Sequence, residues 1–431
     1  MSNLRFLAAA CAAFLCAAPA AWSVESAAST TDSAGQRNWV SAWSSAPGDP
    51  GPNTIDAIFG NDHSRSFENQ TIREIAHVSV GGRKVRVRLS NAFGTAPLRV
   101  GATRVALRRT GATIWPSSDR RVTFSGNASI VVPVGAVAVS DAVDLDVPGA
   151  SDLAVSIYLP GATEPATYRE TTLQTSYVTA AGSGNATGAT DLPGAAPTTA
   201  SFYLTYVEVQ TVLPVSTLVA FGDSVTLGAG STLDANRSWP EQLSARLNPF
   251  QALPRMAVIN QGIGCGRLLF DFCGPGGAAR FDRDALTATG ANRVIVALGI
   301  NDIMIPAILP NFGHPEFAVE NVSASDIITG LSQLVQRARA QGFRIYGATI
   351  TPFGSSTIPG LFTPENEAKR QAVNRWIRTA GAFDGVVDFE AAVRDPSNPA
   401  RTLPAYDFDG VHLNDAGYEA MANAVNLGML F

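Results

Sequence analysis

An antiparallel β-sandwich joined to a doubly wound α/β domain is the fold class this sequence predicts, and three observations carry the prediction. The chain has 431 residues, 46% of them hydrophobic, which is too long for one ordinary domain and enough for two cores. From residue 38 to residue 213 short alternating runs are broken by Gly, Pro, Asn and Asp, without helical period between them. From residue 214 to residue 431 apolar strands alternate with segments of helical period.

The N-terminus precedes both domains. Arg5 and a short apolar run from Phe6 to Ala21, with small residues near Ala20 to Ser23, predict a secretory signal peptide over residues 1–23. Phe14-Leu15 ahead of Cys16 argues against a lipoprotein anchor. A Ser/Thr/Ala-rich segment over 24–37 reads as flexible. The expected location is therefore secreted or periplasmic, with no stable membrane anchor. Cys11 and Cys16 leave with the signal, so Cys265 and Cys273 remain, eight positions apart. In an oxidising compartment they suggest one local disulfide, the alternative being a pair of free thiols. The net charge of -5 argues against a nucleic-acid partner, because phosphate recognition needs a dense basic surface.

In the first domain, Arg83 to Leu89 alternates basic and apolar residues as a half-buried strand does, with Gly81-Gly82 before it as a hairpin turn. Further strands are expected at Leu98 to Leu107, Ser129 to Pro133, Ala142 to Val147, Leu153 to Leu159 and Ser201 to Val209. The arginines of the alternating run are read as a solvated face. The Gly/Ala/Thr/Pro-rich stretch near 180–200 is read as an exposed loop, and Pro214 as the hinge.

In the second domain, strands are expected at Thr217 to Phe221, Ala257 to Asn260, Arg293 to Gly299, Arg344 to Ile350 and Val386 to Phe389. Helices fall between them. Ser238-Trp239-Pro240-Glu241 has the spacing of a capping box, and Ile327, Ile328, Leu331, Leu334, Val335 and Ala338 share one helical face. Others open at Thr363-Pro364 and after Asn414-Asp415. Parallel strands need helical crossovers on both faces, so five of them make a flavodoxin-like three-layer domain.

The first strand stops at Gly222-Asp223-Ser224, where open α/β sheets place their ligands. Asp and Ser there are also ordinary capping residues, so the reading depends on what other strand ends supply. His412 has a carboxylate, Asp409, three residues before it. In one turn or tight loop Asp409 would hold one ring nitrogen and leave the other free to face Ser224, the arrangement of an activated nucleophile. The strand Val294 to Leu298 runs into Asn301, whose amide could donate to a developing oxyanion. Ala257 to Asn260 runs into a Gly-rich loop holding Cys265 and Gly266, which lets backbone N–H groups approach a ligand.

Through Gly222-Asp223-Ser224, Gly299-Ile300-Asn301-Asp302 and Asp409 to His412, residues 215–431 resemble the SGNH (GDSL-type) hydrolases. The resemblance implies a secreted serine esterase working through an acyl-enzyme with Ser224 as nucleophile, His412 as base and Asp409 as its orienter. It implies oxyanion donors at Ser224 and Asn301, and no metal or organic cofactor. The family's oxyanion glycine is replaced by Cys265, with Gly266 next to it, so either could supply the remaining N–H. Trp39-Val40-Ser41-Ala42-Trp43 and Leu89 to Gly94 resemble the accessory sandwich of a secreted, xylan-esterase-like subgroup. Thr226 stands where a nucleophile elbow needs its second glycine, which excludes the α/β-hydrolase arrangement. The expected substrate is a short-chain or acetyl ester, small or on a polysaccharide. Alternatives are an aryl or lipid esterase of lysophospholipase type, or a non-catalytic carbohydrate-binding surface protein. The Pro-containing stretch Ile303 to Ser323, with His314, is read as an irregular insertion shaping the pocket.

Overall fold

The computed structural model describes residues 38–49, 65–250 and 255–431. The expected signal peptide and flexible segment lie outside the described residues.

The N-terminal half is β-rich. One sheet orders Trp39–Ser44, Leu204–Gln210, Gly82–Ser90 and Val143–Val147, with Val137–Val139 also on Gly82–Ser90. The other orders Ala196–Thr198, Ser176–Val178, Glu68–Val78, Ser151–Ala162, Ala102–Thr110 and Thr113–Ile114, with Arg120–Val122 also on Ala102–Thr110. The pairings are antiparallel. Val85, Val87, Leu89, Val207 and Val209 of the first sheet share a core with Ile72, Val105, Leu153, Val155 and Ile157 of the second. Alternating apolar positions therefore face each other across two sheets.

Several expectations need correction. Gly81-Gly82 is not a hairpin turn, since the strands on either side of it belong to different sheets. There the Ser79 N–H bonds to the Ala42 carbonyl (2.9 Å) and the chain crosses between layers. The run Leu98 to Leu107 splits at Gly101 into two strands of different sheets, and Ser201 to Val209 breaks at Tyr203, whose φ of 65° lies in the left-handed region. The stretch near 180–200 is the mostly exposed loop expected, apart from the short strand Ala196–Thr198, and it also covers part of the strand Glu68–Val78. Under it, the fully buried Arg73 donates to the carbonyls of Ala189 (2.7 Å) and Thr187 (3.3 Å) and to Ser156 Oγ (2.9 Å). This segment, Glu68–Val78, has no simple alternation because both of its faces are covered. Nor is the arginine face wholly solvated. Arg86 and Arg88 pair with the buried Glu208, and Arg88 reaches Thr287 and Thr289 of the C-terminal half.

That half holds one five-stranded parallel sheet, with β1 (Ser216–Gly222), β2 (Met256–Gly262), β3 (Ala291–Ala297), β4 (Arg344–Ala348) and β5 (Gly385–Val387). Their spatial order is β2-β1-β3-β4-β5. Val219, Phe221, Val294 and Val296 pack with Leu268, Phe281, Leu331 and Ile377 on one face. Leu218, Ala220, Val258 and Ile295 pack with Trp239, Leu243, Tyr418 and Met421 on the other. Burial on both faces explains why these strands read as continuous apolar runs. Ser238 caps the helix Trp239–Leu247 by position only, without the expected side-chain bond, whereas Ser323 and Asp326 form a complete capping box on Ala324–Ala340. The stretch Ile303 to Ser323 starts as helix, within Ile300–Ile308 and with Pro306 inside it, and continues as two 3-10 turns. Burial of Ile303, Met304 and Ile305 holds that helix despite the proline. Among the described residues no helix is long and apolar enough to cross a membrane.

Glu74, buried beside Arg73 in the chain, accepts from Ser201 Oγ (2.6 Å) and the Phe202 N–H (2.5 Å), and burial pushes its carboxyl up to about 8 against these two bonds. In the unfolded chain it ionises near about 4.3. Between those values the unfolded state has released a proton that the folded state keeps, so stability falls as pH rises through the interval. Urea denaturation from pH 5 to pH 8 should follow that slope, and Glu74→Gln should flatten it. An unchanged slope in the variant would assign the dependence to other groups.

Candidate active site

Register brings the site together. Gly222 at the end of β1 lies opposite Gly262 of β2 and Ala297 of β3, so the segments after three neighbouring strands leave the sheet at one level. A side chain at Gly262 would run into the Leu227 N–H and the Asp223 carbonyl, so the turn after β1 packs directly on β2.

After β1 the chain makes one helical turn, Ser224–Leu227. Asp223 is its N-cap and accepts the Val225 N–H (3.0 Å), so the capping reading holds for Asp223 while Ser224 starts the turn. Burial pushes the Asp223 carboxyl up to about 7, against that bond and the nearby His412. Ser224 itself remains 9% exposed.

His412 lies in a tight loop before the helix Asp415–Ala424. Asp409 Oδ1 accepts the N–H groups of Val411 (3.0 Å) and His412 (2.7 Å), and Oδ2 lies 2.7 Å from His412 Nδ1. The other ring nitrogen, Nε2, lies 2.8 Å from Ser224 Oγ. Burial alone would raise the Asp409 pKa, but the bond to the His412 ring, its charge and the two backbone N–H groups outweigh it and hold the carboxyl at about 2. Asp409 is therefore ionised at neutral pH and fixes Nδ1 as the protonated nitrogen, leaving Nε2 to accept a proton.

Gly299, with φ of 121°, turns β3 into the helix Ile300–Ile308, which carries Asn301 and Asp302. Asn301 Nδ2 gives one hydrogen to the Gly266 carbonyl (3.0 Å) and has a second to give. The Gly266 N–H is taken by the Ile263 carbonyl (3.2 Å). Among the described residues the Cys265 N–H has no acceptor, and Cys265 holds a left-handed φ of 48°. Of the two alternatives left by the sequence, only Cys265 keeps a donor to give. A disulfide joins Cys265 to Cys273, with 5.6 Å between their Cα atoms.

Two supports carry little sequence signal. The buried Asp302 accepts the N–H groups of Leu268 (2.7 Å) and Leu269 (2.9 Å), which ties the loop after β2 to the helix after β3. Arg280 donates to the carbonyls of Gly222 (2.7 Å) and Gln261 (2.9 Å), clamping the ends of β1 and β2 together. Burial lowers its guanidinium to about 10, so it keeps its charge at neutral pH, and it lies 4.1 Å from the Phe221 ring centre. Asp302 stands next to Asn301 and could have been suspected, whereas nothing marks Arg280 among the other arginines. His314 is outside the relay, half-buried and 3.1 Å from Glu316. Among the described residues no cluster of three His, Cys, Asp or Glu side chains is placed to hold a metal ion.

A hydroxyl in line with an imidazole and a carboxylate, at the carboxyl edge of a parallel sheet and beside undirected amide donors, belongs to acyl-transfer chemistry, and the protein is a carboxylic ester hydrolase. Residues 220–420 match the family model described as GDSL-like lipase/acylhydrolase, and this part of the chain is a domain of that family. Solved structures similar to it include a carbohydrate acetylesterase family member from Sinorhizobium meliloti, 19% identical over 48% of this chain and 94% of that one (TM-score 0.38). Others are an aryl esterase from M. smegmatis, 18% identical over 48% and 95% (TM-score 0.36), and a GDSL-like lipase from Bacteroides thetaiotaomicron, 16% identical over 50% and 88% (TM-score 0.35). A search of curated proteins finds no match.

Opening the Cys265–Cys273 bridge with Cys273→Ser should cost about 2–3 kcal/mol, the chain-entropy value for so short a loop. Chemical denaturation of the oxidised wild type and the variant measures this. Equal midpoints would mean that the bridge adds nothing to the loop.

Proposed function

We propose that this protein is an exported serine esterase acting on short-chain acyl esters, acetyl above all, carried by a polysaccharide. The alignment Asp409–His412–Ser224 carries the catalytic part of the reading. Ser224 Oγ attacks the ester carbonyl while His412 Nε2 takes its proton, and Asp409 stabilises the imidazolium. The N–H groups of Ser224 and Cys265 and the second Nδ2 hydrogen of Asn301 receive the charge forming on the carbonyl oxygen. His412 then returns the proton to the departing alcohol, and water follows the same route to release the acid.

Support for the substrate class comes from the residue before Asp409. Phe408 is 63% exposed with its ring beside Gly230, and it is taken as the aromatic face that a ring in the alcohol part of the ester would meet. A sugar fits that face. The same ring would take an aryl ester, which is the second reading. The Cys265–Cys273 disulfide supports export, because such bonds persist in oxidising compartments. The proposal divides the chain into an accessory sandwich over 38–213 and a flavodoxin-like, three-layer catalytic domain over 214–431. The parallel strand order and the two helix-covered faces speak for that label.

Hydrolysis of an aryl acetate should vanish in Ser224→Ala and fall by about 10⁴ in kcat in Asp409→Asn, which offers His412 the wrong tautomer. Wild-type rates in Ser224→Ala would end the serine-esterase reading. Phe408→Ala should raise KM for acetylated xylan by about 2- to 10-fold with kcat kept, the range of one stacking contact. An unchanged KM on xylan together with a raised KM on the aryl acetate would favour the aryl reading.

A further inference from the structure

Two consecutive residues of the β-rich half touch β2 and the loop after it, beside Ser224. Arg169 donates to the Asn260 carbonyl (3.3 Å), which also receives Ser44 Oγ (3.2 Å). The Asn260 side chain in turn donates to the carbonyls of Thr226 (3.0 Å) and Leu227 (3.2 Å), at the end of the turn that Ser224 begins. Glu170 reaches further into the site. Its Oε1 accepts the Gly264 N–H at 2.6 Å, one residue before Cys265. A Cβ on Gly264 would collide with that carboxylate, so the glycine is what lets Glu170 approach.

We propose that Glu170 is a positioning residue for the ester hydrolysis: it holds the Ile263–Gly264 peptide, next to the one that carries the Cys265 N–H, so that this N–H points at the oxyanion. The inference rests on the serine-esterase reading above. Cys265 has a left-handed φ without being glycine, a conformation that costs about 1 kcal/mol or more and persists only where neighbours over-determine it. Those neighbours can be named. On one side Gly266 is tied by its N–H to Ile263 and by its carbonyl to Asn301. The Cys265 side chain is tied to Cys273. On the other side the peptide before Gly264 has Glu170, which accepts its N–H. Removing it leaves the orientation of the donor N–H to the remaining two, and an oxyanion donor turned away contributes little.

Glu170 can act as a fixed point because the strand just before it is anchored. Tyr168–Arg169 pairs with Ser201–Phe202, and the buried Glu74 binds both of those residues. The carboxylate is thus presented by the β-rich half to the α/β half, and it lies outside the family match over 220–420. This gives the N-terminal half a part in the chemistry besides any part in substrate binding.

Glu170→Ala and Glu170→Gln in the full chain test the proposal. In Glu170→Ala, kcat for an aryl acetate should fall about tenfold with KM nearly unchanged, less than the 10²–10³ lost with a whole oxyanion donor. Inhibition by an alkyl boronic acid, which forms a tetrahedral adduct on a nucleophilic serine, should weaken by the same factor. Glu170→Gln keeps an acceptor oxygen and should recover most of the loss. Amide hydrogen exchange of the segment 262–268 should accelerate in Glu170→Ala and not in Glu170→Gln. Wild-type kcat and exchange in Glu170→Ala would overturn the proposal while leaving the esterase reading intact. So would equal losses in both variants accompanied by a lower melting temperature. If wild type cleaves no ester the esterase reading fails, and unchanged exchange in Glu170→Ala then rejects the positioning role as well.

Discussion

The site depends on one constraint, the register that sets Gly222 level with Gly262 and Ala297. Three chain segments that carry polar groups leave a buried sheet at the same height, and none could do so from within it without stranding backbone donors in an apolar layer. A one-residue slip of β1 would turn Val219 and Phe221 toward the face that now receives Leu218 and Ala220. Hydrophobic packing on both faces thus fixes where Ser224, Cys265 and Asn301 emerge. Arg280 then locks the two strand ends by bonding the carbonyls of Gly222 and Gln261, and Asp302 locks the loop beyond β2 to the helix beyond β3.

Buried charge is used here to hold backbone rather than to pair surfaces. Arg73, Arg280 and Asp302 each spend their hydrogen bonds largely on main-chain groups of segments distant in sequence. Removing a charge of this kind leaves its buried partners unpaired, so these positions constrain the fold more than exposed ion pairs do. The contact between the two halves follows the same pattern. Ser44, Arg169 and Glu170 bind main-chain groups of the strand and loop next to Ser224, while Arg88 reaches Thr287 and Thr289. The β-rich half is therefore joined to the carboxyl edge of the parallel sheet, where the chemistry lies, by directional bonds.

Much of this was legible in the chain. Apolar runs buried on both faces announced the parallel strands, and alternating runs announced antiparallel sheets, because each pattern is the direct record of which faces meet solvent. Asp409 and His412 were legible together because three residues of tight loop leave a carboxylate little choice but to meet the ring. The strand Glu68–Val78 was not, since its Arg73 and Glu74 are buried by a cover that no local pattern predicts. Nor was the corner at Gly81-Gly82, where two glycines permit either a hairpin or a crossing between sheets and only the partners of the flanking strands choose.

By itself, then, the sequence determined the type of each long element and the chemical identity of the groups at the strand ends, since both follow from local periodicity and residue chemistry. Tertiary structure decided which of those groups meet. It placed His412 Nε2 against a serine 188 positions away, chose Cys265 over Gly266 as the residue with an N–H left to give, and brought Glu170 of the other half against Gly264. The reason is physical. A hydrogen bond is satisfied over about 3 Å in space whatever the distance along the chain, so the accounting of donors and acceptors closes only once the strands have found their register.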